Sequence, residues 1–209
     1  MKQLLNLPTE KEDGENKMLK ITFATGNMHK VEEINLIAKD YNVEFVLPEG
    51  EFNPVEDGST FLENAYCKAK YASKSNTTEL YLADDSGLCV EALGGEPGIY
   101  SARYAPTPKE RIEKLLCAMK DKTNRNAKFK CAMVLCDKEG KVVFEAEKEC
   151  IGEIMHSPVG EGGFGYDPIF FVKSKQIGMA QLTPEQKAQV SHRARALNCV
   201  LEWLKQNKM

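Results

Sequence analysis

The run LKITFAT, from Leu19 to Thr25, reads as a buried strand with Ile21 and Phe23 on one face, and it ends in the polar loop GNMHK. Val31, Ile34, Ile37 and Ala38 then recur at helical spacing. A strand passing through a tight loop directly into a helix confines the chain to folds in which helices lie on a sheet. The later patterns agree. VEFVL at 43–47 is a second strand, and Thr60 with Glu63 predicts a capping box for a helix to about Ser73, with Leu62, Ala65, Ala69 and Ala72 as its apolar stripe. LYLAD at 80–84 is a third strand ending in two carboxylates, and the glycines and prolines of GLCVEALGGEPGIYSARYA predict a folded-back loop or short hairpin. Ile112, Leu115, Leu116 and Met119 face inward on a helix from about Pro108 to Lys120.

From 128 to 172 the character changes. AKFKCAMVLC and KVVFEAEKECIGEI read as antiparallel neighbours joined by the turn DKEG, and IFFV at 169–172 adds a strand. A closing helix runs from about Pro184 to Lys205, with Thr183 as N-cap and Pro184 as its first residue. The 209 residues suffice for one ordinary domain or two packed lobes. The expected fold is α/β with a mixed sheet. Residues 1–18 are polar, contain Pro8 and Gly14, and are read as a flexible extension ahead of a single domain over 19–209; Met18 is an alternative start. They lack the apolar stretch of a signal peptide, and no run is long enough to span a membrane.

With 28 Lys and Arg against 31 Asp and Glu, the net charge of -3 supplies no global field for a polyanion, which argues against nucleic acid as the primary partner. A small anion is still accessible to a local lysine or a helix N-terminus. The seven cysteines are odd in number and scattered without a C-x-x-C pair, which argues against a disulfide framework and a zinc knuckle and points to the cytoplasm.

Several stretches have the composition of a site. Thr25-Gly26-Asn27-Met28-His29-Lys30 lies between strand and helix, either as an anion cradle reinforced by Lys30 or as a plain turn capped by Asn27. In Asp84-Asp85-Ser86-Gly87 the carboxylates leave a strand end, where they suit Mg2+ or an activated water, or simply form a polar turn; alternation directs one of the pair to the site. Glu56 or Asp57 offers a second metal ligand and Lys68 a phosphate contact, although each also suits a solvated surface. Gly162 to Pro168 packs three glycines around Phe164 and Tyr166, with Asp167 before the next strand, fit to bring amides and a ring against a flat heterocycle or to form a tight structural loop. His192 and Arg193 project about 100° apart on the last helix, where both can line a cleft.

In order, TGNMHK, FLENAYCKAKYA, LADDSGLCVEALGGEPGIYSARYA, GGFGYDPIFF and LTPEQKAQVSHRARAL resemble the inosine triphosphate pyrophosphatase family, the non-canonical purine NTP pyrophosphatases, over Leu19 to Leu204. The resemblance implies an elongated mixed sheet flanked by helices, two lobes around a central cleft, and a homodimer. It also implies Mg2+-dependent hydrolysis of ITP, dITP and XTP to monophosphate and pyrophosphate. By motif, Thr25, Gly26, Asn27, Met28, His29 and Lys30 would form the triphosphate loop, with Lys68 and Arg103 as further phosphate contacts. Glu56, with Asp57 as rival, and Asp85 would hold metal; Asp85 would also act as base, and Ser86 would touch substrate. Phe164, Gly165, Tyr166 and Asp167 would hold base and sugar, with Lys187, His192 and Arg193 completing the pocket. A pyrophosphatase for modified pyrimidines shares the phosphate equipment, and a non-catalytic nucleotide sensor would lack the metal and base groups.

Overall fold

A computed structural model describes residues 18–207. Apart from Met18, the stretch read as an extension lies outside the described residues, as do Lys208 and Met209. The opening unit forms as its pattern requires. β1 (Leu19–Phe23) leads through the polar loop to α1 (Met28–Ala38), and the Asn27 side chain caps α1 by accepting from the His29 N–H at 3.0 Å. β2 (Val43–Val46) and β3 (Leu80–Val90) both lie parallel to β1, with α2 (Phe61–Ser73) crossing between them. The expected capping box of α2 is present, Thr60 accepting from Glu63 N and Glu63 reaching back to the Thr60 N–H.

The remaining strands are antiparallel: β4 (Asn126–Asp137), β5 (Val142–Ile154), β6 (Phe170–Val172) and the short β7 (Ile177–Gly178). The seven-stranded order is β2-β1-β3-β4-β5-β6-β7. β3, β4 and β5 have 11 to 13 residues, and at about 3.3 Å per residue they extend for roughly 40 Å. They carry three separate cores. At one end Ile21, Phe23, Leu82 and Met133 pack against Ile34 of α1 and Leu197 of the last helix, while Ala65, Ala69 and Ala72 of α2 cover the opposite face at Tyr81 and Ala83. At the other end Leu88, Phe129, Ile154 and Phe170 pack against Leu115 and Met119. These two belong to α3 (Pro108–Ala118) and its C-cap.

Two expectations are corrected. β3 does not end at Asp84; it continues through Ser86 and Gly87 to Val90, every residue from Leu80 to Val90 facing one of β4 from Asp137 to Ala127. The carboxylates are thus in mid-strand, a placement tolerated because cations from helices on both faces meet them. Beyond β3 the chain folds back as expected, through 3-10 turns at Glu91–Leu93 and Gly98–Arg103. Lastly, the closing helix is two helices, α4 (Pro184–Val190) and α5 (His192–Gln206). Ser191 breaks them with φ -64° and ψ 153°, and its hydroxyl caps α5 through Ala194 N. The apolar period runs unbroken across this joint, so periodicity alone conceals it.

The close approach of β3 to the Gly98 turn depends on Gly87, where an added Cβ would stand 2.2 Å from the Gly98 carbonyl oxygen. Gly87→Ala is expected to destabilise the protein by about 1–3 kcal/mol in urea or thermal unfolding; an unchanged midpoint would refute this packing account.

Candidate active site

A cavity of about 440 Å³ is lined by residues of β3, α2 and α5 and of the loops around them. One wall is the β1–α1 loop, from which Thr25, Gly26, Asn27 and Lys30 line it, while Met28 and His29 do not. A Cβ added at Gly26 would meet no atom within 4 Å, so this stretch of backbone faces open space. His29 instead lays its ring parallel to that of Phe164, centroids 6.0 Å apart, across the cleft.

The floor is β3. Asp84 and Asp85 point to opposite faces, and only Asp85 reaches the cavity. Lys68 of α2 donates to Asp85 Oδ1 at 3.1 Å and to Glu56 at 3.4 Å, and Asn64 donates to Asp85 Oδ2 at 3.2 Å. Burial pushes the Asp85 carboxyl up, against the pull of Lys68. Burial also acts to lower the Lys68 ammonium, but Asp85, Asp84 and Glu56 together raise it. Two hard oxygen donors from different elements therefore converge on one cationic position. This suits a divalent ion that draws its other ligands from phosphate, and among the described residues no cluster of three or more metal-ligating side chains competes with it. Glu56 lines the cavity and Asp57 does not.

Asp84, absent from the expected site, organises it from behind. It is 1% exposed and accepts from Lys30 Nζ at 2.8 Å and from Arg193 Nε and Nη2 at 3.1 and 3.0 Å. Burial alone would raise its carboxyl, but Lys30 and Arg193 hold it well below the usual carboxylate range. Arg193 also donates to Ser86 Oγ at 3.0 Å and to Glu33. Glu33 in turn lies 3.6 Å from Lys187, which donates to Asp167 at 2.8 Å. The signal for Asp84 was its adjacency to Asp85; for Glu33 it was its place on the Lys30 helix, three residues on.

At the other end, Phe164, Gly165, Tyr166 and Asp167 line the cavity with Lys187, His192 and Arg193. The Asp167 carboxylate closes this loop by accepting from Phe164 N at 2.8 Å, and Gly163 (φ +73°) is required there because a Cβ would meet that carboxylate at 2.1 Å. Tyr166 Oη donates to the Ser101 carbonyl at 3.0 Å. The break at Ser191 places His192 and Arg193 in the first turn of α5, and the His192 ring stacks on Phe129 with centroids 4.8 Å apart. Its Nδ1 is buried without a partner among the described residues, and burial holds the imidazole well below its ordinary value. Arg103 faces the Tyr100 ring rather than the cavity, whereas Arg111, not singled out by sequence, lines it.

Residues 21–203 match the model of the Ham1 family. The chain belongs to the Ham1 family. It is 44% identical over 178 residues to the dITP/XTP pyrophosphatase of Nostoc sp., covering 85% of this chain and 90% of that one. With the dITP/XTP pyrophosphatase of Treponema denticola it shares 43% identity, covering 90% and 99%. A solved structure of a HAM1 protein from Coxiella burnetii superposes with a TM-score of 0.79 at 39% identity, covering 90% of this chain and all of that one. Among the described residues no helix of this Ham1 chain is long and apolar enough to cross a membrane.

His192 is neutral in the folded protein. Below pH about 6.5 the unfolded chain binds a proton at this residue that the folded chain refuses, so stability falls by up to about 1.4 kcal/mol per pH unit until the lowered folded value is reached. Unfolding midpoints of His192→Gln between pH 7 and pH 5 should fall less steeply than those of the unaltered protein. Equal slopes would contradict this assignment.

Proposed function

We propose that this Ham1 protein is a Mg2+-dependent nucleoside triphosphate pyrophosphohydrolase. It converts ITP, dITP and XTP to the monophosphate and pyrophosphate and so clears non-canonical purines from the nucleotide pool. The observation that carries the reading is a single cavity in which Asp85, Glu56 and Lys68 face the Thr25–Lys30 loop at one end and an aromatic pocket lies at the other. The dITP/XTP pyrophosphatase names of its relatives support it.

Hydrolysis of the α–β anhydride consumes one water and needs charge stabilisation more than covalent chemistry. Glu56 and Asp85 would hold Mg2+, which would supply charge to offset the phosphates. The β1–α1 loop and the Lys30 and Lys68 ammonium groups grip the triphosphate, and Ser86 touches it. Asp85, its carboxyl raised by burial, orients the attacking water and accepts its proton.

Phe164 stacks on the base, Gly165, Tyr166 and Asp167 hold base and sugar, and Lys187, His192 and Arg193 complete the pocket. Four of the five guanidinium N–H donors of Arg193 engage Asp84, Ser86 and Glu33. The fifth is free for a 6-oxo group. An adenine 6-amino group would leave it unsatisfied, a penalty of about 1–3 kcal/mol. The same reading makes the protein a cytoplasmic homodimer with no nucleic-acid partner, which light scattering checks for the dimer.

Incubation with ITP, XTP, GTP and ATP in the presence of Mg2+, with products identified, tests the proposal. Pyrophosphate should be released preferentially from ITP and XTP. Orthophosphate as the product, or equal turnover of all four, would overturn it. Asp85→Asn should lower kcat by about 10²–10⁴ while leaving the circular dichroism spectrum intact, and undiminished turnover would remove Asp85 from its role.

A further inference from the structure

The cavity's charges nearly cancel before any ligand arrives. Lys30 sits on Asp84, Lys68 lies between Asp85 and Glu56, Lys187 rests on Asp167, and Arg193 is shared by Asp84 and Glu33. Four cations thus face five carboxylates, a net charge of -1. A triphosphate adds several more negative charges to this site. These four cations answer it only by loosening from carboxylates that already hold them.

Arg111 is the exception. It lines the same cavity, and among the described residues it forms no ion pair with a carboxylate. It stands in the first turns of α3, where its Nε donates back to the Thr107 carbonyl at 3.3 Å. That bond orients the guanidinium while leaving both terminal nitrogens available. The neighbouring cations of α3 are engaged elsewhere, Lys114 on the Tyr104 carbonyl at 2.8 Å and Lys109 with Glu113. The location is also right for phosphate. Ser101 and Ala102 line the same cavity as Arg111, and Ser101 packs against Gly87. Gly87 is two residues along β3 from Asp85 and on the same sheet face, about 7 Å away. This wall therefore runs from the Asp85 side of the cavity to Tyr166, whose hydroxyl donates to the Ser101 carbonyl at 3.0 Å.

Accepting the pyrophosphohydrolase reading, we propose that Arg111 is a further substrate-binding residue, a guanidinium that grips the phosphate chain from the α3 side of the cleft. A planar fork suits two phosphate oxygens at once, and an arginine without an internal carboxylate makes that contact without first breaking an ion pair.

Steady-state kinetics with ITP and Mg2+, together with product inhibition, test it in the full chain. Arg111→Gln should raise KM for ITP about ten-fold or more and weaken inhibition by pyrophosphate comparably, while inhibition by IMP stays within two-fold. Arg111→Lys should recover part of the loss, and it carries the test if the Gln variant melts early. An unchanged KM and pyrophosphate inhibition in both variants would overturn the assignment. So would a loss confined to IMP, since Arg111 would then contact the nucleoside. Failure of the unaltered protein to release pyrophosphate from any nucleoside triphosphate would instead refute the underlying reading, so the two failures are distinct.

Discussion

The buried Asp84 carboxylate is the constraint around which the rest of the structure is arranged. It stands in the middle of a central strand at 1% exposure, where an unpaired charge would be strongly unfavourable. Its ion pairs reach Lys30 on α1 and Arg193 on α5. Through Glu33 the same network extends to Lys187 on α4, and through Lys187 to Asp167, which closes the Phe164 loop. Elements distant in sequence are thereby held at one point, and the cavity is the space they enclose.

This arrangement accounts for how a chain with a net charge of -3 can offer a site to a polyanion. The cations are held in place by internal carboxylates, so their positions are set before a ligand arrives. Pre-paired lysines hold their geometry and give up part of their charge. The division of labour follows from the strand: Asp84 faces inward and anchors, while Asp85 faces the cavity with Asn64, Lys68 and Glu56 around it.

Much of this is legible along the chain. The β1–loop–α1 unit, the Thr60 and Thr183 caps and the antiparallel 128–172 segment follow from local periodicity and cap chemistry, which act over a few residues. The readings that fail share one cause. LADDSG resembles a strand end because two carboxylates and a glycine disfavour burial, and only the antiparallel partner β4 and the distant Lys30 and Arg193 make the continuation stable. The joint at Ser191 escapes detection because a serine between Val190 and His192 does not disturb the apolar period, though its hydroxyl can cap.

From the residues in order one can derive the α/β class, the helix caps, the loops with the composition of an anion and ring site, and membership of a nucleotide-hydrolysing family through the succession of its motifs. Tertiary structure decides which of two adjacent aspartates reaches the cavity, that Arg103 turns to Tyr100 while Arg111 faces the cleft, and that His192 is buried and neutral. The physical reason is range. Caps and periods are short-range properties of the chain. Whether a charge is buried, paired or free depends on groups as far apart as Asp84 and Arg193, which only the folded sheet and its helices bring within hydrogen-bonding distance.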